Sequence, residues 1–362
     1  MKKIPQALLV GSSKGLHVMD WKDEQWQIRQ TYFEGAPVNY IFVDERNGNW
    51  WVTLNHSHWG IKLHRSINRG QSWEEIPPPQ YPKNTQLRNG NKASLRKIWS
   101  MAHGGFDQPD ILYLGTEPGG LFQSVDGGRT FSLVEGLWNH PSRMDYWFGA
   151  GRDFPFIHSI IVDPSNDQHI YVAVSCAGVF ESQDGGMTWQ IRNRGLKAAY
   201  LPNPTAELGH DPHLVLQSPA NHQVLWQQNH CGIFISRDGG KYWEEVSGKE
   251  GFPSYGFALA IDEENPQKAW VIPAESDEKR IAVDQELCVC QTEDGGQTWK
   301  ALRTGLPQSH CFDIVFRHAF AKKGRYLAFG TTTGNVFWSG DEGANWQCLT
   351  NYLPRIDCVV FD

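Results

Sequence analysis

Nowhere in this chain does an apolar run approach the roughly 20 residues of a membrane helix. No run of lysine or arginine offsets its net charge of −7. The first absence excludes a helical span, and the second argues against a nucleic-acid or anionic-membrane surface. A small-molecule or oligosaccharide ligand fits this surface better, with a protein partner as the other option. No Gly-rich loop leads from a strand into a helix as a phosphate cradle would, so a nucleotide cofactor is not expected. No compact HExxH motif is present either, which leaves a divalent metal dependent on dispersed ligands.

Cysteine is scarce and unpaired. Cys176, Cys231, Cys288, Cys290, Cys311, Cys348 and Cys358 are odd in number and include no CxxC pair, so reduced thiols and a cytoplasmic location are expected. Cys288 and Cys290 alternate along an expected strand and suit buried packing. The opening MKKIPQALLVG lacks the apolar core of a signal peptide.

What the chain does contain is repetition. SQDGGMTW (Ser182 to Trp189) recurs in variant form at Ser66 (SINRGQSW), Ser124 (SVDGGRTF), Ser236 (SRDGGKYW), Thr292 (TEDGGQTW) and Ser339 (SGDEGANW). Successive boxes start 58, 58, 54, 56 and 47 residues apart. A period of this size means stacked supersecondary units. Within one unit, HSIIVDP, HIYVAVS, GVFESQDGG and TWQIR read as four short strands rich in β-branched and aromatic residues, with turn residues between them. Four antiparallel strands per repeat make a propeller blade.

The ends supply one more blade. Ala7 to Ile28 matches strands two to four, with Asp20 and Trp26 as remnants of a box, and Ile356 to Asp362 reads as the missing first strand. The expectation is therefore an all-β, seven-bladed β-propeller of four-stranded antiparallel blades. It is closed by N- and C-terminal strands in one blade and forms a single domain over residues 1–362. The box aspartates Asp126, Asp184, Asp238, Asp294 and Asp341 are structural on this reading. Their carboxylates accept backbone amides of their own turns, the glycines take left-handed angles, and the final tryptophan packs between sheets.

The motif S-x-D-x-G-x-x-W resembles the Asp box of sialidases and related propellers, the bacterial neuraminidase repeat, and the likeness covers the whole chain. GTEPGGLFQS, GLWNHPSR, HSIIVDP, QQNHCG and GTTTGNVF are similar to segments of bacterial single-domain propellers labelled glycosyl hydrolase or exo-sialidase-like. The resemblance implies a glycan-processing or glycan-binding protein. It does not extend to sialidase activity. Sialidases have six blades and an arginine in an F-R-I-P motif, whereas the nearest match here is Lys3-Ile4-Pro5, and lysine cannot grip a carboxylate in bidentate fashion. Seven-bladed Asp-box endoglucanases that cleave xyloglucan are closer in architecture, although they clasp a chain between two propellers.

Long links locate the expected site. Pro77 to Leu95, Gly136 to Ile157, Gly195 to Pro212 and Ala274 to Glu286 all fall on the face opposite the boxes, and long loops in compact folds are usually functional. That face collects the candidates. Glu117, Asp211 and Asp313 are candidate catalytic carboxylates, which could act in a pair as general acid and base. His140, Arg143, His158, His213, Asn229 and His230 are candidate polar contacts, accompanied by His56, His58, Asp145 and His210. Trp59, Trp138 and Trp147 are candidate stacking surfaces for sugar rings. His158, His213 and His230 are candidate ligands of a divalent metal. The rival reading is a non-catalytic interaction platform.

Overall fold

The computed structural model describes residues 4–149, 151–248 and 252–362; Lys3 of the Lys3-Ile4-Pro5 stretch lies outside them. The fold is a seven-bladed β-propeller of four-stranded antiparallel sheets. The first blade joins Ile356–Phe361 to Ala7–Ser12, Gly15–Lys22 and Gln25–Tyr32. The second contains Val38–Asp44, Asn49–His56, Gly60–Ser66 and Glu74–Ile76, and the third Lys97–His103, Leu112–Glu117, Leu121–Ser124 and Ser132–Leu133. The fourth contains Ile157–Asp163, Asn166–Val174, Gly178–Ser182 and Gln190–Ile191, and the fifth Pro212–Gln217, Leu225–Asn229, Gly232–Ser236 and Glu244–Glu245. The sixth contains Gly256–Ile261, Ala269–Pro273, Val289–Thr292 and Lys300–Leu302, and the seventh Phe320–Lys323, Tyr326–Gly330, Val336–Ser339 and Gln347–Thr350.

The chain divides into two compact units. The first holds Met1–Ile41, His213–Gly239 and Glu244–Asp362, and the second Phe42–Pro212 with Gly240–Trp243. In the first, Leu8, Val10, Trp270, Leu327, Phe329, Ile356 and Val359 form one apolar core. The pairing of Leu9 with Val360 and Val10 with Val359 joins the terminal strands there. In the second, Leu121, Leu137, Trp147, Ile157, Val172, Phe180 and Trp189 form another. Each large side chain removed from water in this way contributes about 1.5–3 kcal/mol.

The repeated turns hold themselves together through one pattern. Ser124 donates its hydroxyl to Asp126 Oδ1 at 2.7 Å and accepts the Gly128 N–H at 2.8 Å. Asp126 then accepts the Thr130 N–H at 3.0 Å and the Thr130 hydroxyl at 2.6 Å. Asp184, Asp294 and Asp341 repeat these bonds with Thr188, Thr298 and Asn345. Asp238 accepts from Ser236 at 2.8 Å. In the second blade Asn68 replaces the aspartate, accepting from Ser66 Oγ and the Ser72 N–H, each at 2.9 Å. Hydrogen bonds from Thr130 hold the Asp126 carboxyl far below the usual carboxylate range, and those from Thr188 lower Asp184 likewise.

The first blade departs from the expected remnant box. Asp20 lies within a strand and pairs with Arg29 at 3.3 Å, while the turn itself is Asp23–Glu24, both at positive φ. Two residues in the left-handed region make a tight hairpin whose twist matches the strands, so this turn needs no aspartate clasp. Trp26 keeps its packing role, 5% exposed and edge-on to Trp21 at 5.6 Å.

Candidate functional site

Two of the long links build a pocket within the second unit. The link after the second blade carries Tyr81, whose hydroxyl bonds Thr116 Oγ1 at 2.7 Å and meets the Pro118 carbonyl. Burial pushes the Tyr81 phenol well above its usual range, so it stays a neutral donor. The link after the third blade forms two helical turns, Glu135–Trp138 and Ser142–Tyr146. His140 Nδ1 bonds Ser142 Oγ at 2.7 Å, and that hydroxyl also receives the Trp147 indole N–H at 3.0 Å. Burial lowers the His140 pKa, which favours its neutral ring as a spacer between these turns. Arg143 lies over the Trp138 ring at 4.0 Å and donates to the Trp138 carbonyl and, at 3.3 Å, to that of Gln86. It ties the two links together.

The cavity they enclose is about 350 Å³, lined by Leu87, Arg88, Pro118, Trp138, Arg143, Trp147, Phe148, Asp153 and Phe154. Its size and its wall, which combines the rings of Trp138, Trp147, Phe148 and Phe154 with a few charged groups, match a small-molecule site. Next to it sits Glu117, 3% exposed at the end of the second strand of its blade. Its Oε2 accepts the Trp99 indole N–H at 3.0 Å and the Arg152 Nε–H at 2.9 Å. Trp99 is fixed in turn by stacking on Phe156 at 4.1 Å and by Lys97, whose Nζ is 3.6 Å from the ring centre.

Of the expected contacts, Trp138, Arg143 and Trp147 line this pocket and His140 braces it. The other expected residues lie elsewhere. In the second unit, Asp211 Oδ1 accepts the Cys176 N–H at 3.2 Å, and His158 Nδ1 bonds Ser159 Oγ at 2.9 Å. His210 Nε2 bonds the Ala206 carbonyl at 2.6 Å. Trp59 is 69% exposed beside His58 on a hairpin end. In the first unit, Asp313 accepts the Thr333 N–H at 3.0 Å and the Asn335 amide at 2.8 Å, which fastens the 331–335 turn. Asn229 donates to Gln227 and accepts from the Cys231 N–H, closing its own hairpin. His213 and His230 meet edge to face at 5.5 Å.

Arg88, Phe148, Asp153 and Phe154, which line the pocket, and Arg152, which pairs with Glu117, are residues that the sequence reading passes over. All but Arg88 fall in the stretch YWFGAGRDFPF, where charged and aromatic residues crowd one long link. Among the described residues, no helix is long and apolar enough to cross a membrane.

No family model matches the chain. A xyloglucanase of Acetivibrio thermocellus, Xgh74A, is 26% identical over 259 residues, covering 65% of this chain and 28% of that protein. Among solved structures, the GH74 enzyme of Niastella koreensis superposes with a TM-score of 0.62 at 17% identity, covering 94% of this chain and 51% of the other. YCF48 bound to a D1 peptide superposes with a TM-score of 0.54 at 13% identity, covering 96% of this chain and 86% of that one. The chain thus resembles glycoside hydrolase propellers. It spans less than a third of its curated xyloglucanase relative and about half of the GH74 structure.

Proposed function

We propose that this protein is a glycoside hydrolase-like propeller that binds an oligosaccharide in the pocket between the 77–95 and 136–156 links. The observation that carries the reading is the cation-braced aromatic wall formed by Trp138 under Arg143, with Trp147 beside it. A pyranose presents apolar C–H faces and a rim of hydroxyls. Indole rings suit the first, and Arg143, Arg88 and Asp153 suit the second. The likeness to a xyloglucanase makes xyloglucan fragments the first ligands to try.

Binding is favoured over turnover by the state of the carboxylates. Glycoside hydrolysis needs two carboxyl groups flanking one bond. Glu117 is committed to Arg152 and Trp99, and Asp313 to its turn. Calorimetric titration with xyloglucan oligosaccharides should give saturable binding that Trp138→Ala weakens at least tenfold, while Trp59→Ala leaves it unchanged. A parallel reducing-sugar assay separates binding from hydrolysis. If no neutral or acidic oligosaccharide binds, the pocket is not a sugar site and the interaction-platform reading replaces it.

A further inference from the structure

The pocket between the 77–95 and 136–156 links has an imbalance of charge that a neutral sugar leaves unused. The first of these links and the two residues after it carry Lys83, Arg88, Lys92, Arg96 and Lys97 but no aspartate or glutamate, in a chain whose 40 acidic residues outnumber its 33 basic ones. Lys83, Arg88, Lys92 and Arg96 are exposed, and none of the four forms a salt bridge among the described residues. Like charges gathered on one short segment set up a positive potential that reaches about 10 Å at 0.1 M salt.

Arg88 lines the cavity from this link, and Arg143 lines it from the next. The Trp138 ring, 4.0 Å from Arg143 Cζ, and the Trp138 and Gln86 carbonyls hold the Arg143 side chain in place. Those two hydrogen bonds use the N–H of Nε and one N–H of Nη1. Both N–H groups of Nη2 and the second of Nη1 remain for a ligand. Arg143 forms no salt bridge among the described residues either. Burial lowers its pKa from the ordinary arginine value, the mark of a half-buried cation that its surroundings do not neutralise.

The acidic groups nearby do not cancel this charge. Glu117 is taken up by Arg152 at 2.9 Å and by the Trp99 indole at 3.0 Å. Asp153 is the one carboxylate in the lining, and it is exposed, so two guanidinium groups face one carboxylate. A guanidinium is a planar fork of donors matched to a carboxylate, and hydrogen bonds between ionised partners are roughly twice as strong as neutral ones.

Resting on the reading of this pocket as a sugar site, we propose that its ligand is an acidic glycan, an oligosaccharide whose pyranose rings carry carboxylates as uronates do. Arg143 and Arg88 are the residues that select the charge. The rings of Trp147, Phe148 and Phe154 in the same wall separate this ligand from an acidic peptide, which brings carboxylates but no pyranose face.

The test titrates the full chain by calorimetry with trigalacturonate and with its fully methyl-esterified form, which keeps the rings and removes the charge. The acid should bind at least tenfold more tightly than the ester, and that ratio should shrink at least threefold between about 20 and 300 mM NaCl. Arg88→Gln and Arg143→Gln should each lower the ratio at least threefold, and Asp153→Asn should raise it. The ester serves as the reference within each variant: a wall loosened by the loss of Arg143 weakens both ligands and leaves the ratio alone. Equal binding of acid and ester, or a ratio that neither arginine variant changes, would overturn the acidic glycan while the sugar pocket stands on its binding of the ester or of xyloglucan oligosaccharides. Hexaglutamate binding as tightly as trigalacturonate would overturn it too, since charge alone would then suffice. If no oligosaccharide binds, charged or neutral, the sugar pocket itself falls.

Discussion

Arg152 and Trp99 converge on the same oxygen of Glu117, at 2.9 and 3.0 Å. The carboxylate is buried while the arginine side chain is 44% exposed, so the pair is asymmetric: the glutamate depends on the arginine more than the reverse. Removing one partner of a buried charge leaves the other uncompensated. Arg152→Met should therefore cost about 1–3 kcal/mol in urea unfolding, discounted from a fully buried pair by the solvent around the guanidinium. Glu117→Gln, which keeps the shape, should cost less. If Arg152→Met were as stable as the parent, the pair would be incidental and Glu117 would be free for another role.

A pH-dependent clasp lies in the fourth blade. His169 bonds Asp163 through Nδ1 at 3.2 Å and Glu181 through Nε2 at 2.7 Å. Only the imidazolium can donate from both nitrogens. The Glu181 hydrogen bond, ahead of the opposing effect of burial, raises the His169 pKa above its ordinary 6.5. A raised folded-state pKa contributes stability that is complete below about pH 6.5 and fades as pH climbs through the folded value. For Glu181, burial alone would raise the pKa, but His169, Arg192 and Gln183 bring it down to about 2. Its contribution is therefore lost only on strong acidification. Urea midpoints measured from pH 6 to 9 should fall by the equivalent of about 1 kcal/mol, and His169→Gln should flatten that slope. An unchanged slope in the variant would assign the effect elsewhere.

The turns also lock the blades in series. Trp243 is fully buried and donates its indole N–H to the Arg192 carbonyl at 2.7 Å, and its backbone N–H to the Arg194 carbonyl at 2.8 Å. Gly195 has φ of +94°, and a β-carbon there would collide with the Trp243 carbonyl oxygen. Gly305 stands in the same relation to Trp346. Trp243→Ala should cost about 3–5 kcal/mol. Gly195→Ala should destabilise too, because it combines left-handed strain with a backbone clash. Thermal melts of both variants check this, and a Gly195→Ala protein as stable as the parent would show that the close approach carries no constraint.

What could be read in advance follows from how local each device is. The box turns close within a few residues, so Ser124, Asp126 and Thr130 carry their own structure in their spacing, and the blades follow from it. The long links were recognisable as insertions for the same reason. Which of their side chains meet was not legible. Glu117 and Arg152 are brought together by the path of a link that has no periodicity, and Asp277 meets His230 across two blades. Asp313 and Glu117 look equally catalytic as isolated carboxylates. Only the geometry shows that Asp313 is consumed by the Thr333 and Asn335 turn.

Closure of the first blade gives the last prediction. The strand Ile356–Phe361 pairs along Ala7–Ser12, and Ile356, Cys358, Val359 and Phe361 are all buried. Ile356 also fits against Gly330, where any β-carbon would strike its side chain. Deleting residues 356–362 removes three large apolar side chains and one cysteine from the core and strips Leu8 and Val10 of their cover. At about 1.5–3 kcal/mol for each large side chain, this loss rivals the whole stability of a typical domain. It also leaves the Ala7–Ser12 edge unpaired. The truncated chain should be largely unfolded or aggregated at 37 °C by circular dichroism and size exclusion. A synthetic peptide spanning residues 354–362, added in excess, should recover folded protein in a saturable way, because the vacant edge specifies both hydrogen bonds and side-chain pockets. A truncated chain that melts where the parent does would show that this strand does not hold the first blade together.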